Sequence, residues 1–314
     1  MKKYFFAFVM LATATLSFTL TINAAVYKGP SGFGMIKLFE KPPIVSNDVS
    51  FDFSVLPTPR EMIARVATKE VDIAVFPVNI AAKLYSKGPG YKLGAVTGMG
   101  IFSLLSRDSI SSWSDLKGKT IYSVGKGATP EYLLSYLASK NGISLSTETE
   151  VIYSVTSASQ LAQLIIGGKV RSAVLPEPFV SLVKMKAPDV KAVLDFQDEW
   201  KKVNNSEKTF PVTVVVINPD LVKSNPHAVK VFLEAYRDSI DWVNKNPKEA
   251  SVLIEKYGVL SASVAKAAIP NCNLEYIPAH EAQPLIEEFL TVMLKANPVS
   301  VGGVLPNESF YLEE

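Results

Sequence analysis

The chain has 314 residues, of which 48% are hydrophobic and 20% charged, and its formal net charge is +2. This composition is typical of a folded protein with one large or two ordinary domains, and it excludes a disordered chain. Basic and acidic side chains are nearly balanced and no basic stretch stands out, so we expect neither nucleic acid nor an anionic membrane as a partner. The single cysteine, Cys272, excludes an intramolecular disulfide.

The N-terminus has the pattern of a secretory signal peptide. Lys2 and Lys3 precede an apolar run through Leu11, and small residues follow. Polar side chains interrupt the run beyond Leu11, which argues against a membrane-spanning anchor. We expect residues 1–14 to form the signal, with cleavage between 14 and 25. No cysteine follows it as a lipid attachment site, so a freely diffusing protein of the periplasm is predicted.

The next part of the chain alternates between strand and helix patterns. A strand ends near Tyr27, a turn of small residues covers 29–34, and a helix continues through Phe39. A strand over 46–55 and a helix over 59–68 follow. Residues 71–76 are continuously apolar, which is typical of a strand buried on both faces of a parallel sheet.

A second stretch repeats this order of elements. It predicts strands over 120–124, 150–154 and 172–175, and helices over 129–140, 157–166 and 179–186. Short motifs recur at matching places: Lys28-Gly29-Pro30-Ser31-Gly32 with Lys126-Gly127-Ala128-Thr129-Pro130, and Ala74-Val75-Phe76-Pro77 with Ala173-Val174-Leu175-Pro176. The duplication predicts two similar lobes of parallel α/β structure with a ligand cleft between them.

Two segments have the pattern of crossings between the lobes. Residues 101–105 lead into the second lobe, and residues 210–217 lead back to the first. After Asn218 the pattern is helical, over 226–244, 247–257, 261–268 and 281–296. We therefore expect lobe 1 to comprise 15–105 and 218–314, including the C-terminal helices, and lobe 2 to comprise 106–217.

Both turns of small residues are candidate ligand sites. A helix N-terminus leaves backbone N–H groups unpaired and carries a partial positive charge, which suits an anion or a polar oxygen. Glycines permit close approach of the backbone, and Phe33 can supply an apolar wall. Ordinary helix capping is the alternative for either turn. The candidate residues are Ser31, Gly32, Phe33, Gly34, Gly127, Ala128 and Thr129.

Residues at the carboxyl ends of strands form a second group of candidates, because ligands of open α/β sheets bind beyond these ends. Asn79 lies just after the strand that ends in Pro77, and Glu177 lies at the corresponding place in lobe 2. The Glu177 carboxylate can accept hydrogen bonds from an amine or amidine. A solvated or hinge-bracing role is the alternative for Glu177. Thr58 and Thr97 are weaker candidates of the same kind.

Other chemistries find little support in the sequence. Neither turn has the glycine spacing of a nucleotide-binding loop. His227 and His280 lie in the helical C-terminal region, where we expect surface or capping roles, and their surroundings match no metal-binding motif. We therefore expect no catalytic residue, metal or cofactor. Cys272 lies in a break between helices, either as a buried thiol or in a loop that lines the cleft.

In their order along the chain, these motifs resemble bacterial ABC-transporter solute-binding proteins, and in particular the group for sulfonates, nitrate, taurine and thiamine precursors. The resemblance rests on the signal, the first turn, Val71-Asp72-Ile73-Ala74, Asp115-Leu116-Lys117-Gly118-Lys119 and Pro176-Glu177-Pro178-Phe179. It implies a type II periplasmic-binding-protein fold with two crossovers, and a pocket lined by 31–34, Asn79, 127–129 and Glu177. The matched loops show no clear arginine, so a neutral or amine-bearing solute fits better than an anion.

The expected function is that of a non-enzymatic, monomeric periplasmic receptor. It would capture a small organic solute by lobe closure and deliver it to an ABC permease in the inner membrane. Two alternatives stay open. One is a periplasmic sensor that reports the ligand without transporting it. The other is an enzyme similar to the cytoplasmic dehydratases of menaquinone synthesis that share this two-lobe plan, against which the export signal argues.

Overall fold

The computed structural model describes residues 20–155 and 157–313, so the predicted signal peptide, residues 1–14, lies outside the described residues. The strands follow one another along the whole of the described chain. They are β1 (Leu20–Tyr27), β2 (Val49–Leu56), β3 (Ile73–Pro77), β4 (Lys92–Met99), β5 (Phe102–Ser106), β6 (Thr120–Ser123), β7 (Glu150–Ile152), β8 (Ser172–Pro176), β9 (Lys191–Asp195), β10 (Pro211–Ile217) and β11 (Ile277–Pro278).

Helices connect most of these strands and form nearly all of the C-terminal third. They are α1 (Pro30–Phe33), α2 (Ile36–Glu40), α3 (Pro59–Ala67), α4 (Val78–Lys87), α5 (Thr129–Lys140), α6 (Ala158–Ile166), α7 (Phe179–Lys186), α8 (Phe196–Asn204), α9 (Pro219–Ser224), α10 (Pro226–Lys245), α11 (Pro247–Lys256), α12 (Ala262–Ala268) and α13 (Ala279–Ala296). No helix in the described part of the chain is long and apolar enough to cross a membrane.

The strands form two separate sheets that share one plan. The first has the order β11-β4-β10-β3-β1-β2, and the second has the order β7-β6-β8-β5-β9. In each sheet a parallel trio, β2-β1-β3 or β7-β6-β8, carries an antiparallel strand beside its third member. The predicted duplication and the two-sheet α/β architecture are therefore confirmed.

The sheets divide the chain at slightly different points from the boundaries expected for the lobes. Strand β5 belongs to the second sheet and β10 belongs to the first. The chain therefore passes between sheets at 100–101 and again at 205–210, rather than at 105 and 217. We call the first passage, with the start of β5, the crossing.

Several elements between the predicted ones were not foreseen, among them α4, β4, β9 and α8. Helix α4 starts directly after β3 with Pro77 at its N-cap and no side-chain cap. Strand β4 contains Gly94 and Gly98, which weaken its apolar pattern. Among the described residues, β9 pairs with β5 alone, and α8 follows β9 without a loop. The helix expected to continue through Phe39 consists of the two short helices α1 and α2.

Buried side chains cover both faces of the first sheet. On one face, the strands pack against α1, α2 and the C-terminal helices α10 to α12. The core of the other face continues into the second sheet through α5, α8 and α13. Trp200 of α8 lies at this junction, with ring centroids 5.4 Å from Phe210 and 5.7 Å from Phe289. The two halves of the fold thus share an aromatic core beside the crossing.

Candidate functional site

The first turn is packed into the interior of the protein. Ser31 Oγ donates a hydrogen bond to the Tyr27 carbonyl at 2.9 Å, and Ser31 and Gly32 are buried. Phe33 has no exposed surface and belongs to the core under the C-terminal helices. A Cβ atom on Gly34 would lie 2.9 Å from Cγ1 of Ile240 in α10.

Phe33 was expected to form an apolar wall of the cleft, and it lies in this packed interior. Because α10 and its neighbours cover the turn, the Phe33 ring is enclosed by protein in this conformation. Gly34 is needed for the close approach of α10, whose Ser239 Oγ donates to the Gly34 carbonyl at 2.6 Å. Gly34 was expected to permit close approach of a ligand, and it permits close approach of α10.

The two threonine candidates also have local roles. Thr58 is exposed and caps α3, with its hydroxyl accepting a hydrogen bond from the Glu61 amide at 3.2 Å. Thr97 is 2% exposed, and its hydroxyl donates to Thr213 Oγ1 at 3.4 Å. Thr97 also bonds Tyr236 of α10, so it belongs to the interior of lobe 1.

Asn79 lies in the first turn of α4 and is 4% exposed. Its Nδ2 donates to the Ser300 carbonyl at 3.4 Å, whereas its Oδ1 has no hydrogen-bond partner among the described residues. The C-terminal segment that contains Ser300 also reaches lobe 2, because Asn297 Nδ2 donates to the Tyr132 hydroxyl of α5 at 3.0 Å. Asn79 is thus held by a segment that touches both halves of the fold.

The second turn differs from the first in its exposure. Gly127 is exposed with a φ of 77°, a left-handed conformation that favours glycine. Its amide donates to the Glu131 carboxylate one turn into α5. Ala128 is the N-cap and provides no side-chain cap, while Thr129 is 7% exposed. The turn before α5 therefore borders solvent at Gly127, whose amide is held by Glu131, whereas Thr129 at the start of the helix is buried.

Glu177 is buried where β8 meets the crossing. Its amide donates to the Ile101 carbonyl at 2.8 Å, and its carboxylate accepts from the Ser181 amide at 3.1 Å and the Ser181 hydroxyl at 3.0 Å. Burial raises the pKa of the Glu177 carboxyl to about 7, and the bonds from Ser181 offset part of that effect. The backbone amide of Glu177 thus holds the crossing, and its carboxylate bonds the first turn of α7.

A cavity of about 170 Å³ lies beside Glu177, and we call it the crossing cavity. It lies between the second sheet with α7 and the loop that follows α12. Of the predicted site residues, only Glu177 lines it. Its other lining residues are Ile101, Ser103, Val180, Lys184, Ala192, Asp195, Gln197, Pro270, Asn271 and Asn273.

Two amide side chains fix the backbone beside this cavity. Asn273 Nδ2 donates to the Gly100 carbonyl at 2.6 Å, and Gln197 Oε1 accepts from the Phe102 amide at 2.9 Å. A Cβ atom on Gly100 would lie 2.7 Å from Cγ of Gln197, so this position requires glycine. The crossing is therefore held by α8 and by the loop after α12 at once.

Sequence reasoning missed most of the cavity, although two signals pointed to it. Asp195 ends β9 and Gln197 follows it, where the rule for ligands at strand ends applies, but β9 itself was not recognised. The loop around Cys272 was considered as a cleft-lining segment, and its neighbours Asn271 and Asn273 do line the cavity. Cys272 itself is buried, and burial, together with the Glu177 charge, raises the pKa of its thiol, which favours the uncharged form.

Comparison with known proteins identifies the family. A family model described as NMT1/THI5 like matches residues 52–250. The chain belongs to the NMT1/THI5-like family. No curated protein matches the sequence. Among solved structures, one described as an ABC transporter from Parabacteroides distasonis is 28% identical with a TM-score of 0.80, and the match covers 94% of this chain and 99% of that one.

More distant structures share the fold of this NMT1/THI5-like protein. The periplasmic aliphatic sulphonate binding protein SsuA of Escherichia coli is 14% identical, with a TM-score of 0.72 over 93% of this chain and 92% of that one. The periplasmic nitrate-binding protein NrtA of Synechocystis PCC 6803 is also 14% identical, with a TM-score of 0.65 over 90% and 84%. The type II periplasmic-binding-protein fold predicted from the motifs is confirmed.

Proposed function

We propose that this protein is the periplasmic substrate-binding component of an ABC import system, which captures a small organic solute and delivers it to a permease. The observation that carries the proposal is the crossing cavity, which is lined both by the second sheet and by the loop after α12. A rotation of the two halves about the crossing changes the distance between these walls. The cavity can therefore open and close with the lobes.

Closure would move the half that contains the first sheet and the C-terminal helices against the half that contains the second sheet, with the passages between them at 100–101 and 205–210. A solute with higher affinity for the closed form shifts the population toward it, and the permease would recognise that form. In this proposal Glu177 contacts the solute at the crossing. Asn79 would contribute from one side of the cleft, and exposed Gly127, half-buried Ala128 and buried Thr129 would contribute from the other.

The remaining parts of the proposal concern the protein's setting. Residues 1–14 would direct export, and the mature protein would act in the periplasm as a monomer without chemical turnover of its solute. The family membership and the periplasmic binding proteins among the structural neighbours support this assignment. The fully packed first turn of Ser31 to Gly34 would serve as framework for lobe 1 rather than as ligand surface.

The test begins with the solute that copurifies with the protein from the periplasm, identified by mass spectrometry. We expect this compound to raise the melting temperature with its concentration and to reduce the radius of gyration in small-angle scattering. It should also remain chemically unchanged after incubation with the protein. A compound that is converted would indicate an enzyme, and scattering profiles that no copurified compound alters would contradict solute capture by closure.

A further inference from the structure

Residues 297–312, which follow α13, lie along lobe 1, and we call them the C-terminal strap. Tyr85 of α4 donates a hydrogen bond from its hydroxyl to Asn307 Oδ1 of the strap at 2.6 Å. The Leu312 amide donates to the Leu93 carbonyl of β4 at 2.8 Å. A helix and a strand of lobe 1 thus hold the strap, which therefore moves with that lobe.

The start of the strap contacts both lobes. The Ser300 carbonyl accepts a hydrogen bond at 3.4 Å from Asn79 Nδ2, in the first turn of α4 of lobe 1. Asn297 Nδ2 donates at 3.0 Å to the Tyr132 hydroxyl, in the first turn of α5 of lobe 2. Both helices follow the carboxyl end of a strand, which is the edge where the cleft of an open α/β sheet lies. The start of the strap therefore spans one flank of the cleft.

The contact with lobe 2 lies at a distance from the aromatic core that joins the two halves. In that core the Trp200 ring centroid of α8 lies 5.7 Å from that of Phe289 in α13 and 5.3 Å from that of Tyr136 in α5. Asn297 follows Phe289 by about 12 Å along the axis of α13. A rigid-body rotation of about 15° around this core therefore moves Asn297 by about 3 Å relative to Tyr132. A displacement of that size breaks a hydrogen bond.

We propose that the hydrogen bond from Asn297 to Tyr132 is a latch that holds the two lobes in the closed arrangement and so sets the ratio of open to closed protein. This inference rests on the lobe closure of the proposed function and adds a contact that adjusts it without touching the solute.

The surroundings of both partners suit this role. Asn297 Oδ1 accepts the Val299 amide at 3.1 Å, which orients the side chain before it meets α5. Tyr132 is 6% exposed, so opening would also bring its ring into contact with water. A neutral hydrogen bond of this kind changes the ratio of two conformations about 2- to 10-fold.

The same helix provides a matched control. Tyr136 lies one turn after Tyr132 on the same face of α5. Its hydroxyl donates to Asn204 Oδ1 at the end of α8, so this bond lies within lobe 2. Replacing either tyrosine by phenylalanine removes one hydroxyl and keeps the ring, but only the change at Tyr132 removes a bond between lobes.

Electron–electron double resonance measures the distance between the lobes without any solute. Nitroxide labels are attached to Lys87→Cys in α4 and Ser139→Cys in α5, two exposed positions, while the buried Cys272 stays unlabelled. In Tyr132→Phe we expect the ratio of longer to shorter distances to rise about 2- to 10-fold, and in Tyr136→Phe we expect the wild-type ratio. An unchanged ratio in Tyr132→Phe, or an equal rise in Tyr136→Phe, would overturn the inference.

A second variant tests the other partner of the latch. Asn297→Ala removes the donor and should open the protein at least as much as Tyr132→Phe does. Combining the two changes should cause no more opening than Asn297→Ala alone, because the bond is already lost. Additive effects would show that the two side chains act independently, which would also contradict the latch.

Scattering with the copurified compound separates this inference from the proposed function. If that compound compacts the wild-type protein while Tyr132→Phe keeps the wild-type distances in its absence, solute capture stands and the latch falls. If Tyr132→Phe lengthens the distances but no copurified compound compacts the protein, the latch stands and the import function falls.

Discussion

The two turns of small residues, 29–34 in lobe 1 and 125–129 in lobe 2, differ in their environment, although their sequences are alike. In lobe 1, Ser31, Gly32, Phe33 and Gly34 are buried beneath the C-terminal helices. In lobe 2, Gly127 is exposed and Glu177 borders a cavity. The difference arises because α10 and α11 cover the turn of lobe 1, whereas Lys126 and Gly127 in the turn of lobe 2 are exposed. The repeated motif thus predicts a similar backbone in both lobes. Whether each turn is buried or exposed depends on the C-terminal helices that pack over it.

Phe33→Ala tests whether the turn of lobe 1 is part of the folded core, and it should reduce stability more than the other variants below. The Phe33 ring is fully buried, so its removal leaves a cavity and should cost about 3–5 kcal/mol in the free energy of unfolding. Chemical denaturation measures the loss. Lys126→Ala, an exposed change in the other turn, is the control and should stay within about 0.5 kcal/mol of wild type. A Phe33→Ala protein of full stability with impaired solute binding would restore the original assignment.

Glu177→Gln tests the environment of Glu177 in lobe 2 through the pH dependence of the free energy of unfolding. The Glu177 pKa is raised from 4.5 to about 7, so the folded state holds this proton more tightly than the unfolded state does. Ionisation therefore destabilises the fold, and wild-type stability should fall relative to the variant as pH rises from about 4.5 to 7. Above that range, the unliganded variant should be more stable by up to roughly 3 kcal/mol.

Denaturation curves of both proteins at pH 5 and pH 8 measure this difference. Glu207→Gln, an exposed change in the loop after α8, serves as the control and should follow wild type at both values. Parallel stability profiles for wild type and Glu177→Gln would show that the carboxyl has no unusual proton affinity in the folded state.

The sequence was sufficient to predict the parallel trios because their signals are local. Helices α5 and α7 have the predicted bounds, since Pro130 starts one and the Pro178 turn precedes the other. Strand β9 was missed because it lies at a sheet edge with one partner. The crossing cavity could not be predicted as a site, because Ser103 and Asn273 are far apart in sequence and meet only after the C-terminal helices fold back.

Gly127→Ala is a more modest test of the exposed turn. The left-handed φ of Gly127 disfavours any side chain, and the change should cost about 1 kcal/mol of stability although space exists for the methyl group. Gly118→Ala is a matched control, because Gly118 has a φ of 73° and equally open surroundings. Both variants should lose similar stability, but only Gly127→Ala should alter solute affinity. Equal affinities would remove this turn from the proposed site.

Replacing Glu131 should have the smallest effect on stability. It also tests whether the turn of lobe 2 contacts solute through its backbone amides. Its carboxylate accepts the Gly127 amide and lies in the first turn of α5, where negative charge favours the helix dipole. Glu131→Gln should therefore cost about 0.5–1 kcal/mol, and added salt should reduce that difference. Glu150→Gln, on a strand of the same lobe, is the control for loss of a surface charge.

If the start of α5 contacts solute, removing this competing carboxylate should leave affinity unchanged or improve it. A weaker solute affinity in Glu131→Gln would instead indicate that the Glu131 carboxylate contacts the solute. The turn of lobe 2 would then bind through a side chain rather than through its backbone amides.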